Sequence, residues 1–237
     1  MEPVDERAPR IKFCGMTRLE DAQRAADLGA WAVGLIFHPS SPRRCAMDDA
    51  AVIAATLRRR LEVCGVFVNA PLPEVAETAD AVGLTMLQLH GEEGPAYCAE
   101  VARRTGCKVM KVARVGETRA EIEALRAFRT DFHLLDTARS GRPGGTGETF
   151  DWELVRHRRE RTIPLVLSGG LTPENVGEAI AAVHPWAVDV ASGTESSPGV
   201  KDTEKLAGFA AAVRATAPTT QAEVEAAAAE VLQTVVE

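Results

Sequence analysis

Eight short runs rich in apolar and β-branched residues alternate with helix-forming stretches along this chain, and an alternation repeated that often leaves few folds open. The runs are Ile11 to Cys14, Ala32 to Phe37, Val63 to Val68, Met86 to His90, Val109 to Val115, Phe132 to Asp136, Leu165 to Ser168 and Ala187 to Ala191. The stretches between them are rich in Ala, Glu, Arg and Leu. A helix after each strand returns the chain to the same edge, so the strands run parallel. Eight such units over about 210 residues either close into a barrel or lie open as a doubly wound sheet.

Side chains in a strand alternate between its two faces, which separates the two architectures. Ile11 and Phe13 oppose Lys12 and Cys14; Leu87 and Leu89 oppose Met86, Gln88 and His90; Val188 and Val190 oppose Asp189. In the fifth run, Met110 and Val112 oppose Lys111, which reads as the same split. An open sheet covered on both sides would press the polar face against apolar helices. A barrel lets those groups meet inside. The expected fold is therefore an α/β, single-domain (β/α)8 barrel over 11–215, with an N-terminal extension at 1–10 and a helical C-terminal extension at 216–237. Thr17-Arg18-Leu19-Glu20 reads as a capping box, and Thr172-Pro173 as a cap followed by proline at the first helical position.

The 237 residues, 46% hydrophobic, suffice for one large core. A net charge of −7 supplies no basic surplus for nucleic acid, and the runs Arg58-Arg59-Arg60 and Arg156-His157-Arg158-Arg159 read as solvated helix faces. Residues 1–10 lack the apolar core of a secretory signal, and Trp31 to Phe37 is too short to span a bilayer, so a cytoplasmic protein is expected. The five scattered cysteines include no C-x-x-C pair, which argues against a disulfide framework or structural zinc. Cys45, Cys64, Cys98 and Cys107 read as reduced packing residues.

Chemistry concentrates where strands end. Cys14 ends the first run and Asp136 the sixth, placing two proton-transfer groups at equivalent positions. The seventh and eighth runs lead into Ser168-Gly169-Gly170 and Ser192-Gly193-Thr194, whose small residues leave backbone N–H groups accessible to a phosphate. In a barrel of this kind catalytic groups gather at the strand C-termini, and phosphates commonly sit after strands seven and eight.

Several blocks carry a resemblance across nearly every strand: Lys12-Phe13-Cys14-Gly15-Met16-Thr17, Gln88-Leu89-His90-Gly91-Glu92, Leu135-Asp136-Thr137, Gly144-Gly145-Thr146-Gly147 with Phe150-Asp151-Trp152, Ser168-Gly169-Gly170-Leu171 and Asp189-Val190-Ala191-Ser192-Gly193. From Ile11 to about Ala215 the chain resembles the phosphoribosylanthranilate isomerases of tryptophan biosynthesis. The resemblance implies a (β/α)8 barrel that converts N-(5′-phosphoribosyl)anthranilate into 1-(2-carboxyphenylamino)-1-deoxyribulose 5-phosphate without cofactor or metal. It implies Asp136 as the acid that protonates the ring oxygen, Cys14 as the base that removes the C2′ proton, and Arg43 as the partner of the anthranilate carboxylate. Gly169, Gly170, Ser192, Gly193 and Thr194 match its phosphate turns. Two other readings remain: the histidine-pathway aminoaldose isomerase, against which Cys14 argues because that enzyme uses aspartate there, and a phosphate-binding barrel without turnover.

For acid catalysis at neutral pH, Asp136 needs surroundings that raise its pKa when substrate binds, since a free aspartate titrates near 3.9. A free thiol is only about 3% ionised at pH 7, so Cys14 needs help. Lys12, roughly 6 to 7 Å away on the same strand face, could supply up to about 2.5 kcal/mol if unpaired. If Asp189 neutralises it, Lys12 is a structural interior charge instead. Arg44 adjoins Arg43, so either guanidinium could hold the carboxylate. His90 and Gln88 either line the site or satisfy interior hydrogen bonds, the structural role being favoured for His90. Gly141 to Gly147 reads as a mobile loop or a plain connection. The tail carries Val224, Ala228, Val231 and Val235 at helical spacing. The expected partner is a small phosphorylated substrate, with neither nucleic acid nor membrane, and the chain is a monomer or homodimer.

Overall fold

Each β-rich run pairs with the next in parallel, and the eighth returns to the first, so the ring of strands has no open edge. This is a computed structural model that describes residues 8–115, 120–136 and 162–217. In chain order its elements are β1 (Arg10–Cys14), α1 (Leu19–Asp27), β2 (Ala32–Ile36), α2 (Met47–Leu57), β3 (Glu62–Phe67), α3 (Leu72–Val82), β4 (Met86–Leu89), α4 (Pro95–Thr105), β5 (Lys108–Arg114), α5 (Ala120–Ala124), β6 (Phe132–Asp136), β7 (Leu165–Ser168), α6 (Val176–Val183), β8 (Ala187–Val190), a hairpin of β9 (Glu195–Ser197) and β10 (Val200–Lys201), and α7 (Thr203–Arg214). The expected (β/α)8 barrel is the observed architecture. The tail, the 141–147 segment, Phe150-Asp151-Trp152 and the basic run at 156–159 lie outside the described residues. No described helix is long and apolar enough to cross a membrane.

Two apolar layers follow from the period of two. Ile11, Phe13, Val33, Leu35, Leu87, Leu89, Leu135, Leu167, Val188 and Val190 join the helices in the outer core. Ala32, Cys64, Met86, Met110, Val112, Phe132, Leu134, Val166 and Ala187 form a second cluster inside the ring. Lys12 and Asp189 share that interior, as register opposite one another requires. The fifth strand departs from the expected split. Met110 and Val112 face inward, so Lys111 points out of the barrel, where it pairs with Glu93 at 2.8 Å. Alternation alone fixes which residues share a face but not which face is inner, and two large apolar residues fill the ring where a lysine would leave a buried charge.

The Thr17–Glu20 capping box does not form. Thr17 Oγ1 donates instead to the carbonyl of Gly199 at 2.5 Å, and the residue flanking α1 is Arg18, with no side-chain cap. Thr172 does open a turn, accepting from the amide of Val176 at 3.1 Å, but the regular helix begins at Val176. Asp202, by contrast, caps α7, accepting from the amides of Glu204 and Lys205 at 2.9 and 3.0 Å.

At the N-terminal end of the strands Trp31, Phe132 and Trp186 pack ring against ring, with centroids 4.8 to 5.1 Å apart, and the Arg10 guanidinium lies 4.5 Å from the Trp186 ring. This aromatic floor is remote from Cys14 and Asp136 at the opposite strand ends. Phe132→Ala is expected to cost about 3 to 4 kcal/mol by leaving a cavity while kcat is retained. Denaturant unfolding and a turnover assay on one preparation check both halves.

Candidate active site

Cys14 ends β1 on the inner face, and β2 makes room for it. A Cβ at Gly34 would stand 2.7 Å from Cys14 Sγ and 3.1 Å from Lys12 Nζ, so only glycine lets both side chains lie over that strand. Lys12 is fully buried and donates to Asp189 Oδ1 at 2.8 Å, while Asp189 Oδ2 accepts from Ser168 Oγ at 3.0 Å. Of the two readings of Lys12, the interior ion pair is therefore the one formed. Burial would depress the Lys12 ammonium, but its neighbours, Asp189 foremost, together outweigh burial and hold the charge in place. Burial pushes the Cys14 thiol above its ordinary value; Lys12 opposes this, Asp189 reinforces it, and Lys201 opposes it.

Lys201 was not anticipated from sequence. It arrives on β10, in a hairpin that follows the eighth strand, and its buried ammonium donates to the carbonyl of Ala191 at 2.8 Å and lies 3.4 Å from Glu195 Oε1. Burial lowers its pKa against the pull of Glu195. Glu195 also accepts from Arg43, Nε to Oε1 at 2.8 Å and Nη2 to Oε2 at 2.8 Å. Burial would raise the Glu195 carboxyl, yet Arg43 and Lys201 hold it below the usual carboxylate range. Two cations thus share one carboxylate, leaving one positive charge in excess beside Cys14. No pattern in the sequence links these residues; Arg43 and Glu195 are 152 positions apart.

Arg43 packs directly on the turn that follows Cys14: a Cβ at Gly15, whose φ is 77°, would come within 2.9 Å of Arg43 Cδ. Arg44 is exposed. Of the two, Arg43 is the one that lies against the turn after Cys14. Its Nε and Nη2 edge is engaged by Glu195, so a ligand carboxylate would meet the edge that includes Nη1.

Asp136 ends β6, which sits three places around the closed ring from β1, on the inner face with Phe132 and Leu134. His90 Nε2 lies 3.2 Å from Asp136 Oδ2, and His90 Nδ1 lies 3.4 Å from the Gln88 amide nitrogen. With Nδ1 accepting from Gln88, Nε2 carries a hydrogen and donates it to Asp136. His90 is therefore placed against the Asp136 carboxyl. Gln88 Oε1 is buried with no hydrogen-bond partner among the described residues.

The two glycine-bearing turns meet. Gly169 and Gly170 have φ of 101° and 63°, which other residues adopt only with strain, and a Cβ at Gly193 would come within 1.9 Å of the Leu171 carbonyl. Glycine is required at 193 for the turn after β8 to pack on the turn after β7. Among the described residues the amides of Gly170, Ser192 and Gly193 make no hydrogen bond. Thr194 differs from expectation: it is buried, and its hydroxyl and amide are both directed to the carbonyl of Ala191, at 3.1 and 3.3 Å. It shapes the turn and offers no donor. Cys45, Cys64 and Cys98 are buried free thiols, Cys64 pushed by burial up to about 12, and Cys107 is half-buried. No group of His, Cys, Asp and Glu among the described residues is placed to hold a metal ion.

Fold and site together are those of a (β/α)8 barrel that carries groups able to transfer protons at its C-terminal mouth. The family model for N-(5′-phosphoribosyl)anthranilate (PRA) isomerase matches residues 11–212. A relative of that name from Pseudomonas syringae pv. tomato is 47% identical over 210 residues, 88% of this chain and 99% of its own. The crystal structure of phosphoribosyl anthranilate isomerase from Thermotoga maritima aligns with a TM-score of 0.79 at 40% identity, over 87% of this chain and 99% of that one. A further crystal structure, of the isomerase in complex with reduced 1-(o-carboxyphenylamino)-1-deoxyribulose 5-phosphate, aligns at 0.76 and 39% identity, with coverage of 87% and 99%. The chain belongs to the N-(5′-phosphoribosyl)anthranilate isomerase family.

Proposed function

We propose that this protein catalyses the Amadori rearrangement of N-(5′-phosphoribosyl)anthranilate to 1-(2-carboxyphenylamino)-1-deoxyribulose 5-phosphate in tryptophan biosynthesis. The observation that carries the reading is the placement of a thiol and a carboxyl, Cys14 and Asp136, on inner strand ends at separate points of one barrel mouth. Asp136 gives a proton to the furanose ring oxygen. The C1′–O4′ bond breaks, and the anthranilate nitrogen lone pair forms the C1′=N bond of a protonated Schiff base. Cys14 then takes the proton from C2′, whose acidity the iminium has raised, and the released electrons give an enolamine. Tautomerisation, with a proton to C1′, completes the ketone.

The remaining groups bind and orient. Arg43 meets the anthranilate carboxylate with its free edge; the amides of Gly170, Ser192 and Gly193 take the phosphate; and Gln88 Oε1 accepts from a sugar hydroxyl. Lys12 and Asp189 form a fixed internal pair, and Lys201 supplies the surplus positive charge that favours the Cys14 thiolate. Substrate brings a carboxylate and a phosphate into the mouth, and that added negative charge favours proton uptake by Asp136.

Loss of anthranilate-type fluorescence on mixing wild-type protein with phosphoribosylanthranilate tests the reaction. Binding without turnover would select the non-enzymatic barrel, and turnover only of the histidine-pathway aminoaldose would select the other isomerase. In the same assay Arg43→Ala is expected to raise KM about 10- to 100-fold, corresponding to the loss of a charged hydrogen-bonded contact, with kcat less affected. Arg44→Ala should leave both constants near wild type; the opposite pattern would reassign the carboxylate site.

A further inference from the structure

We propose that Glu93 and Lys111, an ion pair buried outside the barrel ring, are positioning residues for the reaction: they fix the turn that carries His90 and so hold the imidazole against Asp136. The proposal rests on the reading of Asp136 as the acid. Lys111 leaves β5 on the outer face, and Glu93 lies in the loop that joins β4 to α4. Both side chains are almost fully buried. Every strong group in the pair is bonded. Glu93 Oε1 accepts from the Asn69 amide at 2.7 Å and Oε2 from the Gly91 amide at 2.9 Å, while Lys111 Nζ donates to Glu93 Oε2 at 2.8 Å and to the Gly91 carbonyl at 2.6 Å.

One carboxylate and one ammonium therefore tie the turns after β3 and β4 to the middle of β5. Asn69, held at φ 51°, completes the tie by accepting from the Glu92 amide at 2.6 Å, and it sits so close that a Cβ on Gly91 would meet Asn69 Oδ1 at 2.3 Å. Gly91, grasped at both its amide and its carbonyl, is the residue immediately after His90. A buried ion pair is a poor device for stability alone, because well-packed apolar residues do as well at no desolvation cost. Its distinctive contribution here is a fixed backbone at Gly91.

The imidazole needs that constraint. Beside His90 lies a cavity of about 450 Å³, lined also by Glu93, Lys111, Arg114, Leu125 and Phe128. Packing therefore does not confine the ring on that side. Among the described residues the His90 ring makes two polar approaches, 3.2 Å to Asp136 and 3.4 Å to Gln88. Small rotations of the turn would carry Nε2 away from the carboxyl and into that space.

The test is a cycle of steady-state constants with phosphoribosylanthranilate. Because Lys111→Met alone strands the Glu93 charge, the paired change Glu93→Gln with Lys111→Met, which removes both charges, is measured in the wild-type and His90→Ala backgrounds, with thermal unfolding confirming that each protein is folded. Kcat is expected to fall about 10- to 100-fold in the wild-type background with KM within about twofold, as for a misplaced reacting group. In the His90→Ala background the same change should produce no further loss, and Lys111→Arg should restore most of the activity. An unchanged kcat, or an equal loss in both backgrounds, would show a merely structural pair and overturn the proposal. If His90→Ala itself leaves kcat untouched, His90 is outside the reaction and the proposal falls on that ground, whereas a wild-type protein inactive on this substrate would mark failure of the underlying reading.

Discussion

Asp136→Asn is expected to lower kcat by about 10²- to 10⁴-fold, the range for loss of a positioned acid, while KM changes little. Asparagine keeps the shape and can still accept from His90 Nε2, now 3.2 Å from the carboxylate, so the fold and the imidazole stay in place. What it cannot do is transfer a proton. Ring opening then requires the C1′–O4′ bond to break toward an alkoxide with no acid beside it. Binding is expected to be retained because the proposed mode puts the charged ends of the substrate elsewhere, on Arg43 and the glycine turns. A rise in KM with kcat preserved would show instead that Asp136 holds substrate without giving it a proton. Stopped-flow fluorescence on the folded variant distinguishes the two.

Cys14→Ala is expected to produce a loss of the same order, and Cys14→Ser nearly as much, because a hydroxyl remains protonated where a thiol can ionise. The pH dependence follows in sign. Burial, reinforced by Asp189, raises the Cys14 pKa above its ordinary value against the opposing pull of Lys12 and Lys201, so in the free enzyme the reactive base form is scarce at neutral pH and grows as pH rises. The acid limb of kcat/KM therefore climbs through and beyond the ordinary thiol value of about 8.5. Lys201→Met removes a cation and should move that limb further alkaline, together with the pH profile of Cys14 alkylation mapped by mass spectrometry. A limb that stays fixed in Lys201→Met would remove Lys201 from the electrostatics of the thiol.

Much of this is legible in the amino-acid sequence. Strand and helix periodicity exposes the barrel, and the position of Cys14 and Asp136 at run ends puts both at the same mouth, because a parallel barrel aligns all strand C-termini on one side. What stayed hidden has physical causes. Lys111 looked like an interior polar residue since alternation is symmetric between faces; only the volumes of Met110 and Val112 inside the closed ring decide the phase. Thr17 and Glu20 have capping-box spacing, yet the threonine hydroxyl found the Gly199 carbonyl, which lies 182 residues along the chain. Glu195 and Lys201 were missed for the same reason: their partners are brought near only by the hairpin that follows β8. The Lys12 question had two sequence-level answers, and the 2.8 Å contact to Asp189 chose between them.

The division of labour between Cys14 and Asp136 is tested most directly by a crystal structure of this protein with reduced 1-(o-carboxyphenylamino)-1-deoxyribulose 5-phosphate, the ligand present in a solved relative. The account predicts Cys14 Sγ against C2′, the Asp136 carboxyl on the other side of the sugar chain, the ligand carboxylate on Arg43 and the phosphate on the amides of Gly170, Ser192 and Gly193. A ligand whose C2′ lies out of reach of Cys14, or which receives both groups from the same side, would contradict it.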